Sequence, residues 1–346
     1  MSHDVSLVGS VPLGTARAVF EAVGDSLGGT IRRIPDGEGG ERLNWALWQA
    51  EAFERIPFVE EVPWKDEGDP AVPGGGRGGA PHFRVKPGFP TAAVRFGPLG
   101  YAASARASHA EFIALRDAGR LAANARLQIG MATALSVVGQ HVDGHFQQAI
   151  EPSYEKRLLE EVDEIAANLP HGDIAIQWNL AAELSIIEGH RPIYFDKIFD
   201  GILDRMARLC EQVPDDIELG LHFCLHDFTV NGFPLPDSLD GMVDLANGIM
   251  GTVARSVEWI HLAVPRKATE AAFFAPLERL TQHPETELYL GLIHPIEGLD
   301  GVKRRIALAA SPAGRFGLAG ECGFGPMGEA EVAAALDLHR EAAALD

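Results

Sequence analysis

Residues 218–227 read Glu218-Leu219-Gly220-Leu221-His222-Phe223-Cys224-Leu225-His226-Asp227, a short apolar run ending in a cluster of reactive side chains. A run of this length, rich in large apolar residues, predicts a buried strand over Glu218–Cys224. The stretch before it, Phe195–Cys210, carries Ile198, Ile202, Leu203, Met206 and Leu209 at spacings of three and four. That is the stripe of a core-facing helix. Ser238–Ala254, on the other side, reads as a second helix. The pattern repeats outward in both directions. Further strands are expected at Val5–Val8, Thr30–Ile34, Arg126–Ile129, Asp173–Trp178, Val257–Ala263, Glu287–Ile293 and Arg315–Ala319. The remaining helices are expected at Thr15–Val23, Glu41–Glu54, Ser108–Ala118, Glu155–Asn168, Thr269–Thr281, Leu299–Ala309 and Glu329–Ala344.

Eight strands alternating with helices predict an α/β protein, a (β/α)8 TIM barrel, and 346 residues suit one such barrel spanning 1–346 as a single domain. An open doubly wound sheet is the competitor, but no Gly-x-Gly-x-x-Gly follows the first strand. The glycine-rich stretch Pro73–Gly79 follows no strand and lacks the Gly-Lys-Ser/Thr ending of a phosphate loop. It belongs to a segment dense in Pro, Gly and charge, residues 62–90, read as a long loop insertion after the second βα unit. Its expected place is over the barrel mouth, as a candidate lid.

The composition narrows the partners. The chain is 46% hydrophobic and 23% charged, ordinary for a globular enzyme, and its net charge is −20. Phosphate backbones and anionic membranes repel such a surface, so neither nucleic acid nor membrane is an expected partner. Three cysteines (Cys210, Cys224, Cys322) are few for a secreted disulfide scaffold. The first residues lack the charged and apolar regions of a signal peptide, and no apolar run approaches a bilayer span. A cytoplasmic protein is expected.

Active sites of this barrel sit at the C-terminal ends of the strands. Those ends carry Gly9-Ser10, Asp36-Gly37-Glu38 with Arg42 a turn later, Gln177-Trp178-Asn179 with Glu183 following, His222-Phe223-Cys224, His294 and Glu321-Cys322-Gly323. His222 and Cys224 are two apart on one strand and so point the same way. Cys322, after the last strand, faces the same central cavity. One imidazole and two thiolates make a nitrogen–sulfur set suited to zinc, with a fourth position left for a ligand. The plainer reading is a small core cysteine beside a hydrogen-bonded histidine; convergence on one rim favours the metal. His226 is a possible fourth ligand or a loop histidine, and His261 reads as a hydrogen-bonded core histidine. Cys210 closes a helix stripe.

These pieces taken in order (Val8-Gly9-Ser10-Val11-Pro12, His222-Phe223-Cys224, Leu292-Ile293-His294, Glu321-Cys322-Gly323) resemble the catalytic barrel of cobalamin-independent methionine synthase, in the superfamily that also holds uroporphyrinogen decarboxylase. The resemblance covers nearly the whole chain. It implies His222, Cys224 and Cys322 as zinc ligands, His294 as proton donor, and Gly9-Ser10 as a holder of the thiol substrate's amino-acid end. Two departures matter. Leu262-Ala263 stand where the synthase has a glutamate zinc ligand, and Asn179 stands where it has an aspartate that grips homocysteine. The synthase's N-terminal barrel is not part of this sequence. A three-ligand site is similar to that of the coenzyme M alkyltransferases of the same superfamily. The expected function is a zinc-dependent methyl- or alkyltransferase that activates a small-molecule thiol, homocysteine not assured. Asp36, Glu38 and Arg42 are expected to clamp the polar end of a substrate, with Glu183 and Glu321 behind. Three alternatives stay open: a metal-free lyase or decarboxylase, a zinc hydrolase, and a non-catalytic zinc-binding barrel. The alkyl donor, the thiol and the oligomeric state are not legible.

Overall fold

Among the described residues ten strands carry the fold: β1 (Val5–Ser6), β2 (Arg33–Pro35), β3 (Val59–Val62), β4 (His82–Val85), β5 (Arg126–Ala132), β6 (Ile174–Leu180), β7 (Glu218–Phe223), β8 (Trp259–Leu262), β9 (Glu287–Ile293) and β10 (Gly317–Gly320). The computed structural model describes residues 3–62 and 80–345. Eight strands pair in parallel in the order β1-β10-β9-β8-β7-β6-β5-β2, which with helices between successive strands is the (β/α)8 barrel. Their near-continuous apolar composition follows from burial on both faces: β6 is buried at every position. The main hydrophobic core runs from Val5 to Ala343, and a smaller cluster of Ala175, Trp259, Tyr289 and Ala319 packs apart from it.

The ends of the sheet, β1 and β2, meet just beyond both strands. Ser10 bridges Gly37, and the Val11 N–H donates to the Gly37 carbonyl at 2.9 Å. Gly37 has φ +79, and a Cβ there would lie 2.5 Å from Val19 Cγ2 and 2.7 Å from the Val11 carbonyl oxygen. Only glycine closes the barrel at this point.

At the opposite end Arg33 is the plug. Its Nε donates to Glu218 at 2.6 Å and its Nη1 to Glu287 at 2.8 Å, and its guanidinium lies 4.3 Å over the Trp259 ring. Trp259 fits inside because its neighbour in register on β7 is Gly220.

Several expected elements change. Glu41–Glu54 is not one helix: a 3-10 segment, Gly40–Gln49, breaks at Asn44 and Trp45 before a short α-helix, Ala50–Glu54. Segment 62–90 is not wholly loop. Val62 ends β3, which pairs antiparallel with β4, and this hairpin sits between β2 and the helix Tyr101–Asp117. Residues 63–79, with the proposed lid and the glycine-rich stretch, lie outside the described residues. The helix expected from Glu155 starts at Gly144, with Pro152 inside. Ile198, read as core, opens its helix 38% exposed. Among the described residues no helix is long and apolar enough to cross a membrane.

Candidate metal centre and ligand cavity

β7 ends in alternation: Phe223 packs into the core while His222 and Cys224 turn together to the inside of the barrel rim. Cys322 arrives two residues after β10. Cys224 Sγ lies 3.5 Å from Cys322 Sγ, which lies 3.6 Å from His222 Nε2; the three donor atoms are all within 4.8 Å of one another. Zinc–sulfur bonds of about 2.3 Å and zinc–nitrogen bonds of about 2.0 Å in a tetrahedron set donors roughly 3.5–3.8 Å apart. The two edges that meet at Cys322 have the lengths zinc needs, the third is no longer than 4.8 Å, and the sulfurs are free thiols rather than a disulfide. Cys322 ionises first: a hydrogen bond from Cys224 holds it below the ordinary thiol range. That same contact, with burial, pushes Cys224 well up. A cation among the donors is what would hold both as thiolates.

His222 does not stand alone. Its Nδ1 lies 2.7 Å from Nδ1 of His261, directly opposite on β8, and His261 Nε2 lies 3.0 Å from the Gly320 carbonyl oxygen. Burial pushes His222 well below the usual imidazole range and His261 down to about 4. The end of β8 contributes only apolar side chains, Leu262 and Ala263, both fully buried. The His226 backbone N–H donates to Cys224 Sγ at 3.4 Å, while its ring sits edge-on to Trp45 at 5.6 Å. Among the described residues the donor cluster is His222, Cys224 and Cys322, without His226.

Over the triangle opens a cavity of about 480 Å³. Gly9, Ser10, Glu38 and Asn179 line it together with Glu321. Glu38 is buried with φ +54, and it accepts a hydrogen bond from the Ser10 hydroxyl. Burial raises its carboxyl above the ordinary range. Asn179 accepts from Gln177 Nε2 at 2.8 Å. Both side chains crowd over Gly130, where a Cβ would come within 3.0 Å of Glu38 Oε1 and 3.3 Å of Asn179 Nδ2.

Asp36 does not reach the cavity. Its carboxylate takes both Arg42 donors (2.7 and 3.2 Å), the Ser108 hydroxyl (2.6 Å) and the Glu38 N–H (3.0 Å). That set fixes the turn bearing Glu38. His294 follows β9 and is buried outside the cavity lining, with Nδ1 3.6 Å from the Glu321 carboxylate. Burial, with the nearby Arg305, pushes His294 down to about 4. Glu183 lies outside the main cavity, bonded to Thr133 Oγ1 at 2.5 Å.

Trp45 is among the cavity residues that sequence reasoning missed. Its φ of +48 breaks the 3-10 segment and sets its half-buried ring in the wall. Such a conformation costs about 1–3 kcal/mol in a non-glycine residue and tends to occur at functional sites. Nothing in its spacing distinguishes it from a helix position.

No protein-family profile matches the chain, and no curated protein matches it in sequence. Solved structures do match. A B12-independent methionine synthase from Shewanella sp. W3-18-1, in complex with selenomethionine, is 15% identical over 99% of this chain and 97% of its own, with a TM-score of 0.63. A methyltransferase from Methanosarcina mazei is 14% identical over 98% and 94%, with a TM-score of 0.55. At these identities the likeness is one of fold, extending over the full barrel.

Proposed function

We propose that this protein is a zinc-dependent methyl- or alkyltransferase whose acceptor is a small-molecule thiol. The observation that carries the reading is the donor triangle of His222, Cys224 and Cys322 at the base of the cavity. Three protein donors leave a tetrahedral ion one position for an exogenous ligand, whereas a structural site normally closes with four. Zinc bound there would supply deprotonation of the incoming thiol at neutral pH. The fold likeness to methionine synthase and methyltransferase structures supports the same class.

The chain's own residues do the rest. Ser10, Glu38 and Asn179 hold the polar end of the thiol substrate, and Gly9 leaves the backbone open beside them. Asp36 and Arg42 act from behind, by fixing the turn that bears Glu38. His294, outside the cavity and neutral at pH 7, stands 3.6 Å behind Glu321. Glu321 lines the cavity with a carboxyl that burial raises to about 7, and it supplies the proton of the departing group. The thiol sulfur attacks the alkyl carbon of the donor as the donor's leaving group departs with its electron pair.

Cobalt substitution gives a direct test, because thiolate ligation to cobalt has its own absorption. The cobalt-loaded protein is titrated with a panel of small thiols. A saturable rise in sulfur-to-metal charge-transfer absorption with at least one thiol is expected. Cobalt that binds at the triangle yet responds to no thiol in the panel overturns the reading.

A further inference from the structure

We infer that His261 is a positioning residue that sets the tautomer of His222 and so presents its Nε2 lone pair to the metal. The inference rests on reading the triangle as a metal site, and the hydrogen-bond geometry decides it. The Gly320 carbonyl can only accept, so the nitrogen 3.0 Å away, His261 Nε2, carries a proton. Neutral His261 then has a bare Nδ1. That atom lies 2.7 Å from His222 Nδ1, which must be the donor. His222 in turn is left with a bare Nε2, the atom 3.6 Å from Cys322 Sγ.

The opposite arrangement fails on charge. If His261 donated from both nitrogens it would be an imidazolium, and His222 would turn an N–H toward the sulfurs. The hydrogen-bond partners of His261 are His222 and a carbonyl, neither of them anionic, and both rings are 2% exposed. A buried cation without a counter-charge is the costlier state. Pairing of β7 with β8 places the two imidazoles opposite each other, and Gly320 ends the strand that leads into Cys322. The relay thus ties the strand bearing two donors to the strand leading to the third.

Partners of this kind typically change metal affinity tenfold to a hundredfold when removed. His261→Leu removes both hydrogen bonds. His261→Gln keeps an acceptor for His222 and a donor for Gly320. Two readouts are taken on each folded protein: the tautomer of His222 by long-range nitrogen–proton NMR on metal-free, histidine-labelled protein, assigned with His222→Gln, and zinc affinity by chelator competition. The wild type is expected to show a protonated Nδ1 on His222. His261→Leu is expected to lose zinc affinity tenfold or more, with most of it restored in His261→Gln. A protonated Nε2 in the wild type overturns the inference, as does zinc affinity in His261→Leu within about threefold of wild type. Should His261→Leu fail to fold, His261→Gln and the wild-type tautomer still decide. A wild type with the expected tautomer but no zinc binding overturns the metal reading instead, so the two failures are distinguishable.

Discussion

Glu183 is buried and accepts from Thr133 and Ser136, and burial pushes its carboxyl up to about 7. The folded chain therefore keeps a proton that the unfolded chain releases. Below about pH 4.5 both states are protonated; between there and pH 7 stability falls as pH rises, by up to about 3 kcal/mol, and stays lower above. Glu183→Gln removes that ionisation, so its melting temperature should gain on wild type at pH 8 and not at pH 4.5. An equal difference at both pH values would mean that Glu183 does not titrate in this window. Residue types and two-residue alternation made His222 and Cys224 legible in sequence, because a strand end has only one inward side. The use of Asp36 was not legible: Asp-Gly-Glu reads as a turn, and only the fold brings Arg42 and Ser108 onto it. His261 was legible as a hydrogen-bonded core histidine, but its partner is set by strand register, which sequence spacing does not give.

Among the elements, β7 shows how tightly register and side-chain volume are coupled. A Cβ on Gly220 would lie 1.9 Å from Trp259 Cε2 and 2.2 Å from Cζ2. Those atoms belong to a ring held by Arg33 on one face, so it cannot retreat freely. Gly220→Ala should cost about 3 kcal/mol or more, read as a lower urea midpoint, with part of it recovered by adding Trp259→Phe. A midpoint unchanged by Gly220→Ala would contradict this packing. Buried parallel strands announce themselves as apolar runs, so all eight barrel strands were legible, with ends displaced by a few residues. The segment 40–54 was not, because its apolar spacing suits a helix while the backbone reversal at Trp45 leaves no mark in that spacing. The β3–β4 hairpin was hidden for a related reason. Its strands are short, and they flank a stretch whose Pro and Gly content dominates the local pattern.

The whole molecule divides its two ends by task. At the N-terminal end of the strands the Arg33, Glu218 and Glu287 ion pairs close the barrel. At the C-terminal end the strands open into the cavity and converge on three side chains that could hold a metal ion. The barrel architecture and that rim were legible because eight strand ends focus scattered sequence positions on one point; Cys224 and Cys322 are 98 residues apart and 3.5 Å apart in space. The central claim is that this point is a zinc site. Metal content is measured on protein purified without added metal or a metal-binding tag, beside a Cys224→Ser, Cys322→Ser variant of matching circular dichroism. About one zinc per chain in the wild type, lost in the variant, is the expected result. Equal zinc in both proteins, or none taken up by the wild type when zinc is added under reducing conditions, would contradict it.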